Sequence, residues 1–82
     1  MTSAPDVIAT FAKNSREILR VALDNYRGHD LVDLRVCAPL AEHADTLIPT
    51  KSGVSLRVHL LPELIRGLQA AELEARARGV LE

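Results

Sequence analysis

Eighty-two residues, 48% of them hydrophobic, with ten Lys and Arg against eleven Asp and Glu, define one small globular domain and exclude a generally basic surface. A chain of this length buries only about 60% of the surface of its unfolded form, so we expect a second copy to supply further burial. The total charge does not indicate a nucleic-acid partner, and any such function must rest on where the cations lie.

The start of the chain and its single cysteine bear on the compartment. Residues 1–6 lack the charged start and apolar run of a signal peptide, and no apolar stretch is long enough to span a bilayer. Cys37 has no second cysteine to pair with, which fits a reducing compartment. We therefore expect a cytoplasmic protein, nucleoid-associated if it is bacterial, with no membrane partner.

Three regions are expected along the chain. Residues 1–12 form a tail that includes a candidate edge strand at 7–11, residues 13–78 form the domain, and residues 79–82 form a C-terminal tail. The segment 13–26 fits two structures. As a helix it has Asn14 as an N-cap with Glu17 three residues later; as a strand it places Leu19, Val21 and Leu23 on one face. The pattern alone slightly favours the helix.

The alternation of apolar and polar residues is clearer after residue 30. Residues 31–37 alternate apolar and polar side chains, which predicts a half-buried strand, and Gly28 before them suits a tight turn. Residues 39–45 are expected to form a loop, 47–49 a short strand ending at proline, and 50–53 a turn. A second alternating strand is expected at 54–59.

From about residue 60 the period changes to that of a helix. Its apolar stripe is made of Leu61, Leu64, Ile65, Leu68 and Ala71. Pro62 suits the first turn of a helix, and Arg76 followed by Gly79 suits its end. The chain is therefore expected to place its strands first and one long helix last.

Nothing in the sequence predicts catalysis. There is no glycine-rich phosphate loop and no triad, and Cys37 has no nearby base that would activate a thiol. The three histidines, His29, His43 and His59, do not have the spacing of metal ligands. We therefore expect no catalytic residue, metal site, cofactor or small-molecule substrate.

Four short motifs, in this order, resemble the positive cofactor four family of transcriptional coactivators. They are an aromatic-basic-glycine turn at 26–28, a hydrophobic-Asp-hydrophobic-Arg strand at 31–36, a Pro-x-basic-x-Gly-hydrophobic-Ser-Leu segment at 49–56, and the helix start Leu-Pro-Glu-Leu at 61–64. The resemblance covers roughly residues 13–68, which is most of the chain.

The resemblance implies an α+β fold of the type ββββα, in which a curved four-stranded antiparallel sheet is followed by one C-terminal helix. It implies a homodimer that forms through the helices, at Leu61, Leu64, Ile65 and Leu68. Residues 16–24 would then be the first long strand. The implied function is binding of single-stranded DNA across the two sheets, with melted duplex or RNA as further candidates and the transcription machinery as a partner.

The family's functional positions carry over in part. Tyr26 stands at the base-stacking aromatic, Arg35 at the strand arginine and Lys51 at the hairpin cation. Arg27 stands at the adjoining basic position and His29 near another, and Lys13 and Arg20 are further cations that can contact phosphates. The full set expected to bind nucleic acid is Lys13, Arg20, Tyr26, Arg27, His29, Arg35 and Lys51. Many relatives have aromatics after the strand arginine, where this chain has Val36-Cys37-Ala38, and a second hairpin base, where it has Ser52.

These departures predict weaker binding than in relatives that retain the aromatics, because each stacked base contributes roughly 1–3 kcal/mol. They also keep a second class of function open. A protein-interaction or dimerisation module could retain the fold while binding nucleic acid weakly or not at all. The near-neutral charge and the missing aromatics favour that alternative.

Overall fold

The computed structural model describes residues 5–41 and 43–82; of residues 43 and 44 it describes the backbone alone. Four strands follow one another along the chain and lie in the same order in one antiparallel sheet. They are β1 (Asp6–Ala12), β2 (Ile18–Tyr26), β3 (His29–Leu40) and β4 (His43–Arg57), and a 3₁₀ turn (Val58–Leu60) then leads into helix α1 (Leu61–Ala77). The expected ββββα order is confirmed, and the candidate strand at 7–11 is edge strand β1.

The helical interpretation of 13–26 is wrong, although its capping signal has a real counterpart. The Asn14 Oδ1 atom accepts hydrogen bonds from the backbone N–H groups of Arg16 (2.9 Å) and Glu17 (2.8 Å), as an N-cap would. These bonds close the turn between β1 and β2 instead of starting a helix. The first long strand therefore begins at Ile18 and not at Arg16.

A two-residue turn joins β2 to β3, as Gly28 predicted. Tyr26 pairs with His29, and the residues between them, Arg27 and Gly28, have φ values of 52° and 80°. Positive φ at both central residues is the requirement of a type I′ hairpin turn. This turn fixes the register of the whole β2–β3 pair.

The boundaries expected for residues 39–59 are wrong in three places. Residues 39–40 and 43–45 are strand and not loop, while Glu42 lies outside the described residues. The turn at 50–53 and the strands on either side of it form one continuous strand, β4. Strand β4 ends at Arg57, so His59 lies in the 3₁₀ turn.

Pro39 and Pro49 explain why the segments around them resembled loops and turns in the sequence. Strand β3 runs past its last partner in β2, Ile18 opposite Cys37, so Pro39 is paired on one side only, with β4. Pro49 lies on β4, which is an edge strand. A proline is tolerated at both positions because its missing N–H removes no bond from the interior of the sheet.

The register assigns each side chain to one face of the sheet. Leu19, Val21 and Leu23 lie opposite Val36, Leu34 and Val32, and Val32 also pairs with Leu56, so these side chains share one face of the sheet. Val32 is 1% exposed. The other face also contributes to the core, because Ala22 is fully buried between Arg20 and Asp24.

Helix α1 begins and ends as predicted. Pro62 lies in its first turn, and two bonds of a Schellman motif end it, from Gly79 N–H to the Arg76 carbonyl (3.1 Å) and from Val80 N–H to the Ala75 carbonyl (3.0 Å). No residue of α1 is buried. The helix extends away from the sheet instead of lying across it, so its apolar stripe is only partly covered in the single chain.

The molecule is larger than a compact chain of its length. Its radius of gyration is 15.0 Å, whereas about 12 Å is expected for a compact domain of this size. Its accessible surface is 6491 Å², against about 4,900 Å² for a typical 9.0 kDa monomer. A single chain therefore exposes roughly 1,600 Å² more than a compact domain would.

Candidate nucleic-acid interface

One face of the sheet, which we call the polar face, carries two of the arginines predicted to bind nucleic acid, Arg20 and Arg35. Strand pairing places Arg20 opposite Arg35, and Ala22 opposite Asp33, which in turn lies opposite Ser55. The paired residues Tyr26 and His29 end the same face at the β2–β3 turn. The polar face thus has two arginines at its centre and an aromatic residue at one end.

A single carboxylate binds both central arginines. Asp33 accepts hydrogen bonds from Arg35 Nη2 (2.7 Å, to Oδ1) and Arg20 Nη2 (3.4 Å, to Oδ2), and the Ser55 hydroxyl donates to its Oδ1 atom at 2.6 Å. Directly opposed like charges destabilise a sheet. Asp33 offsets that repulsion, and the group of two arginines and one carboxylate keeps a net charge of +1.

The environment of Asp33 acts on its pKa in two directions. Burial raises the pKa, but the hydrogen bonds from Arg35 and Ser55 and the charge of Arg35 outweigh this and hold it below its ordinary value of 3.8. The pKa of Arg35 is raised by the same hydrogen bond. Both groups are therefore charged at neutral pH.

This environment predicts a pH dependence of stability. Because the pKa of Asp33 is lower in the folded protein than in the unfolded chain, its ionised form stabilises the fold above pH 3.8, and that contribution is lost as pH falls through the folded-state pKa. Asp33→Asn should lower the free energy of unfolding by about 2–3 kcal/mol at pH 7. The difference from wild type should shrink below about pH 4, as followed by urea denaturation.

Asp24→Asn provides the control, since it removes another carboxylate from the same face of the sheet. The Asp24 carboxylate accepts a hydrogen bond from the backbone N–H of Asn25, and in the described part of the chain no arginine is bonded to it. A constant difference between wild type and Asp33→Asn from pH 7 down to pH 2 would contradict the prediction.

Lys51 lies in a bulge of β4. Arg35 pairs with Gly53, and Cys37 pairs with Pro49, so three residues of β4, at 50–52, lie opposite Val36 alone. Lys51 is exposed at the middle of this bulge, and its carbonyl accepts a hydrogen bond from Arg35 Nη1 at 3.2 Å. The bulge thus joins the hairpin cation to the strand arginine.

Tyr26 and Arg27 form a second group at the β2–β3 turn. The Arg27 guanidinium carbon lies 5.2 Å from the centre of the Tyr26 ring, which is a cation–π distance. Tyr26 is 53% exposed, and His29 beside it is exposed as well. An exposed aromatic ring can stack a base, and a cation next to the ring can contact the phosphate of that nucleotide.

Lys13 stands apart from both groups. It lies in the β1–β2 turn, at the opposite end of β2 from Tyr26, and its Nζ atom is 3.3 Å from Glu17 Oε1. The hydrogen bond from Asn14 to Glu17, with that from Lys13, lowers the pKa of the Glu17 carboxyl. This predicted binding cation is therefore already paired with an acid.

The structure brings Arg20, Arg35 and Lys51 together, and Tyr26, Arg27 and His29 together, with Lys13 separate. The sequence pattern did not identify Thr50, Gly53 or Ser55 as supports of the site, although Asp33 belongs to the same strand motif as Arg35. The two-residue spacing of Asp33 and Arg35 on a strand was a usable signal, since it places both on one face. The bulge left no signal in the pattern.

Helix α1 carries the residues predicted to form the dimer. Leu61 and Leu64 are partly covered, whereas Ile65 is 44% and Leu68 59% exposed. An apolar groove of about 380 Å³ lies where the helix leaves the sheet, and it is lined by Leu56, Leu60, Glu63, Leu64, Gly67 and Leu68. Leu68 also lines a second groove on its other side, with Ile65, Gln69 and Glu72.

In residues 5–41 and 45–82, whose side chains the structure describes, no group of three or more His, Cys, Asp or Glu side chains could hold a metal ion. The helix that the structure describes is too short and too polar to cross a membrane. Cys37 is buried opposite Ile18 and Pro49.

The fold and the polar face together define a small ββββα domain that presents arginines and an aromatic turn on its sheet. Solved structures with this architecture match the chain. BPSL1147, a PC4 homologue from Burkholderia pseudomallei, is 31% identical, and its orthorhombic crystal form aligns with a TM-score of 0.73 over 87% of this chain and 93% of its own. Its tetragonal form aligns with a TM-score of 0.74 over 83% and 97%.

A third match shows the fold at greater distance. The bacteriophage T5 homologue of the eukaryotic transcription coactivator PC4, implicated in recombination-dependent DNA replication, is 20% identical with a TM-score of 0.62, over 96% of this chain and 85% of its own. No family model and no curated protein matches the sequence. On the likeness to BPSL1147, the chain belongs to the PC4 (positive cofactor four) family, as its four motifs predicted.

Proposed function

We propose that this protein is a homodimeric single-stranded DNA-binding protein of the coactivator type, which holds the strand on the polar faces of its two sheets and catalyses no reaction. The observation that carries the proposal is the PC4-family ββββα fold with Arg20, Arg35, Tyr26 and His29 on one face of the sheet. A cationic surface with an aromatic platform is the combination that single-strand binders use. Melted duplex and RNA offer the same chemistry, and the transcription machinery is the partner that this function implies.

The dimer accounts for the surface that a single chain leaves open. The excess of roughly 1,600 Å² over a compact monomer is more than the 800 Å² that each partner buries in a standard interface. The stripe of Leu61, Leu64, Ile65 and Leu68 is only partly covered and lies beside an apolar groove, which makes it the part of that surface best suited to a second copy.

The binding should be weaker than in relatives with more aromatics. Tyr26 is the one aromatic residue on the polar face of the described chain, and Asp33 neutralises part of the charge of Arg20 and Arg35. A fluorescence-anisotropy titration with labelled oligo-dT at low and moderate salt, against duplex of matched length, tests the function. Single strand should bind more tightly, because duplex bases are already stacked on each other. Equal affinity for the two would indicate a merely cationic surface.

Two substitutions should separate stacking from charge. Tyr26→Ala should weaken binding by roughly 1–3 kcal/mol with little change in the dependence on salt, since stacking releases no counterions. Lys51→Ala should flatten the slope of log K against log salt by roughly 0.7 for one phosphate contact. Anisotropy titrations at several salt concentrations measure both quantities. The same change of slope in both variants would contradict the assigned roles.

A second candidate function has one specific observation in its favour. Lys13, Arg20 and Arg35 each have a carboxylate partner within the chain, so three of the predicted binding cations are already paired. A protein-interaction or dimerisation module would have this character. The absence of binding to either oligo-dT or duplex, even at low salt, would favour this alternative.

A further inference from the structure

The bulge at 50–52 leaves backbone groups that the strand ladder cannot pair. Residues 50–52 lie opposite Val36 alone, so the regular exchange of N–H and C=O bonds between β3 and β4 is interrupted there. Backbone groups that lose their ladder partners must find others, because an unpaired polar group inside a protein is destabilising. A three-residue bulge without such partners would be a loose segment.

One hydroxyl group, that of Thr50, replaces two of the lost partners. It donates to the Val36 carbonyl across the strand pair at 2.8 Å, and it accepts from the Ser52 backbone N–H at 3.1 Å. Thr50 is partly buried, whereas Lys51 and Ser52 are exposed. The hydroxyl therefore ties the start of the bulge to β3 and joins the end of the bulge to its start, while the middle of the bulge faces solvent.

The third fixed group is the carbonyl of Lys51 itself. Arg35 Nη1 donates to it at 3.2 Å, and Arg35 is in turn held by Asp33 through its Nε and Nη2 atoms. These bonds, together with that from Nη2 to Ser55 (3.4 Å), use four of the five N–H donors of Arg35. The backbone on which Lys51 stands is thus fixed by side chains on both sides.

We infer that Thr50 is a positioning residue for nucleic-acid binding: its hydroxyl holds the bulge so that Lys51 meets a phosphate without first having to be ordered. Arg35 acts in the same way on the Lys51 carbonyl. This inference rests on the proposed function and adds to it a residue that contacts no nucleic acid. Pre-organisation strengthens binding because the cost of ordering a loop is not paid at the moment of association.

The test is a double-mutant cycle between Thr50→Val and Lys51→Ala, measured as oligo-dT affinity at several salt concentrations. Thr50→Val keeps the shape of the side chain and removes the hydroxyl. It should weaken binding about three- to tenfold and flatten the salt slope toward that of Lys51→Ala. In the Lys51→Ala background the same change should have an effect within about twofold, because the group it positions is gone.

Three comparisons complete the experiment. Thr50→Ser retains a hydroxyl and should restore affinity and slope. Thr46→Val makes the same replacement at an exposed position of β4 before the bulge and should leave binding unchanged. Amide hydrogen exchange of Ser52, followed by NMR in the absence of DNA, should be faster in Thr50→Val than in wild type, since that N–H loses its acceptor.

The outcomes separate the inference from the function on which it rests. Failure of the wild type to bind oligo-dT would overturn the proposed function, and the positioning role with it. Binding by the wild type that Thr50→Val leaves unchanged, or effects of Thr50→Val and Lys51→Ala that are fully additive, would overturn only the positioning role. Unchanged Ser52 exchange in a folded Thr50→Val protein would do so as well.

Discussion

Leu68→Glu is expected to convert the dimer into a monomer or a poorly folded chain. Leu68 lies between the two grooves of helix α1 and is 59% exposed in the single chain, so in the proposed dimer it would lie within the seam between the helices. A carboxylate placed there loses several kcal/mol unless it can reach water. Sedimentation equilibrium should report the monomer mass, and oligo-dT affinity should fall on the order of a hundredfold as the two sheets separate.

Leu73→Glu is the matched control for this substitution. Leu73 lies on the same helix, five residues on and therefore about 140° around it, and it is 72% exposed. The same change of charge at this position should leave the dimer intact. If Leu68→Glu also stays dimeric at unchanged stability, the interface lies elsewhere, and the β1 edge, where Val7, Ile8 and Phe11 are more than half exposed, would be the next surface to test.

The order of the elements could be predicted because each signal was local. The change from period two to period 3.6 marked the start of the helix near residue 60, and alternation identified β3. Residues 13–26 were ambiguous for a physical reason: the Asn14 side chain caps backbone N–H groups in the same way in a helix and in the β1–β2 turn. The resemblance to the PC4 family, and not the pattern, resolved the ambiguity in favour of a strand.

Part of the site could also have been derived from the sequence. A two-residue turn at Arg27 and Gly28 sets Tyr26 opposite His29, and counting back along both strands then places Arg20 opposite Arg35. The bulge at 50–52 ends this regular counting. Thr, Lys, Ser and Gly in succession are typical of a turn, and only the partner strand shows that the chain continues through them as a bulge.

Gly53 is the point at which the bulge and the arginine cluster meet. It pairs with Arg35 in the register and has a φ of 148°, a backbone conformation that residues other than glycine rarely adopt. A Cβ atom added here would overlap the backbone carbonyl oxygen of Leu34 and lie 3.0 Å from the Arg35 Cα atom and 3.1 Å from its Cζ atom. The Arg35 side chain can therefore lie this close to position 53 only because that residue is glycine.

Gly53→Ala should for this reason be among the most destabilising small substitutions in the chain, lowering the free energy of unfolding by at least about 3 kcal/mol. The clash is with the backbone of a central strand, which cannot move aside without breaking its own ladder bonds. Gly28→Ala is the control: its φ is also positive, at 80°, but nothing lies within 4 Å of the added carbon, so it should lose only about 1–2 kcal/mol. Urea denaturation at fixed protein concentration measures both. Equal losses in the two variants would show that backbone conformation alone, and not the approach of β3 to position 53, makes glycine necessary there.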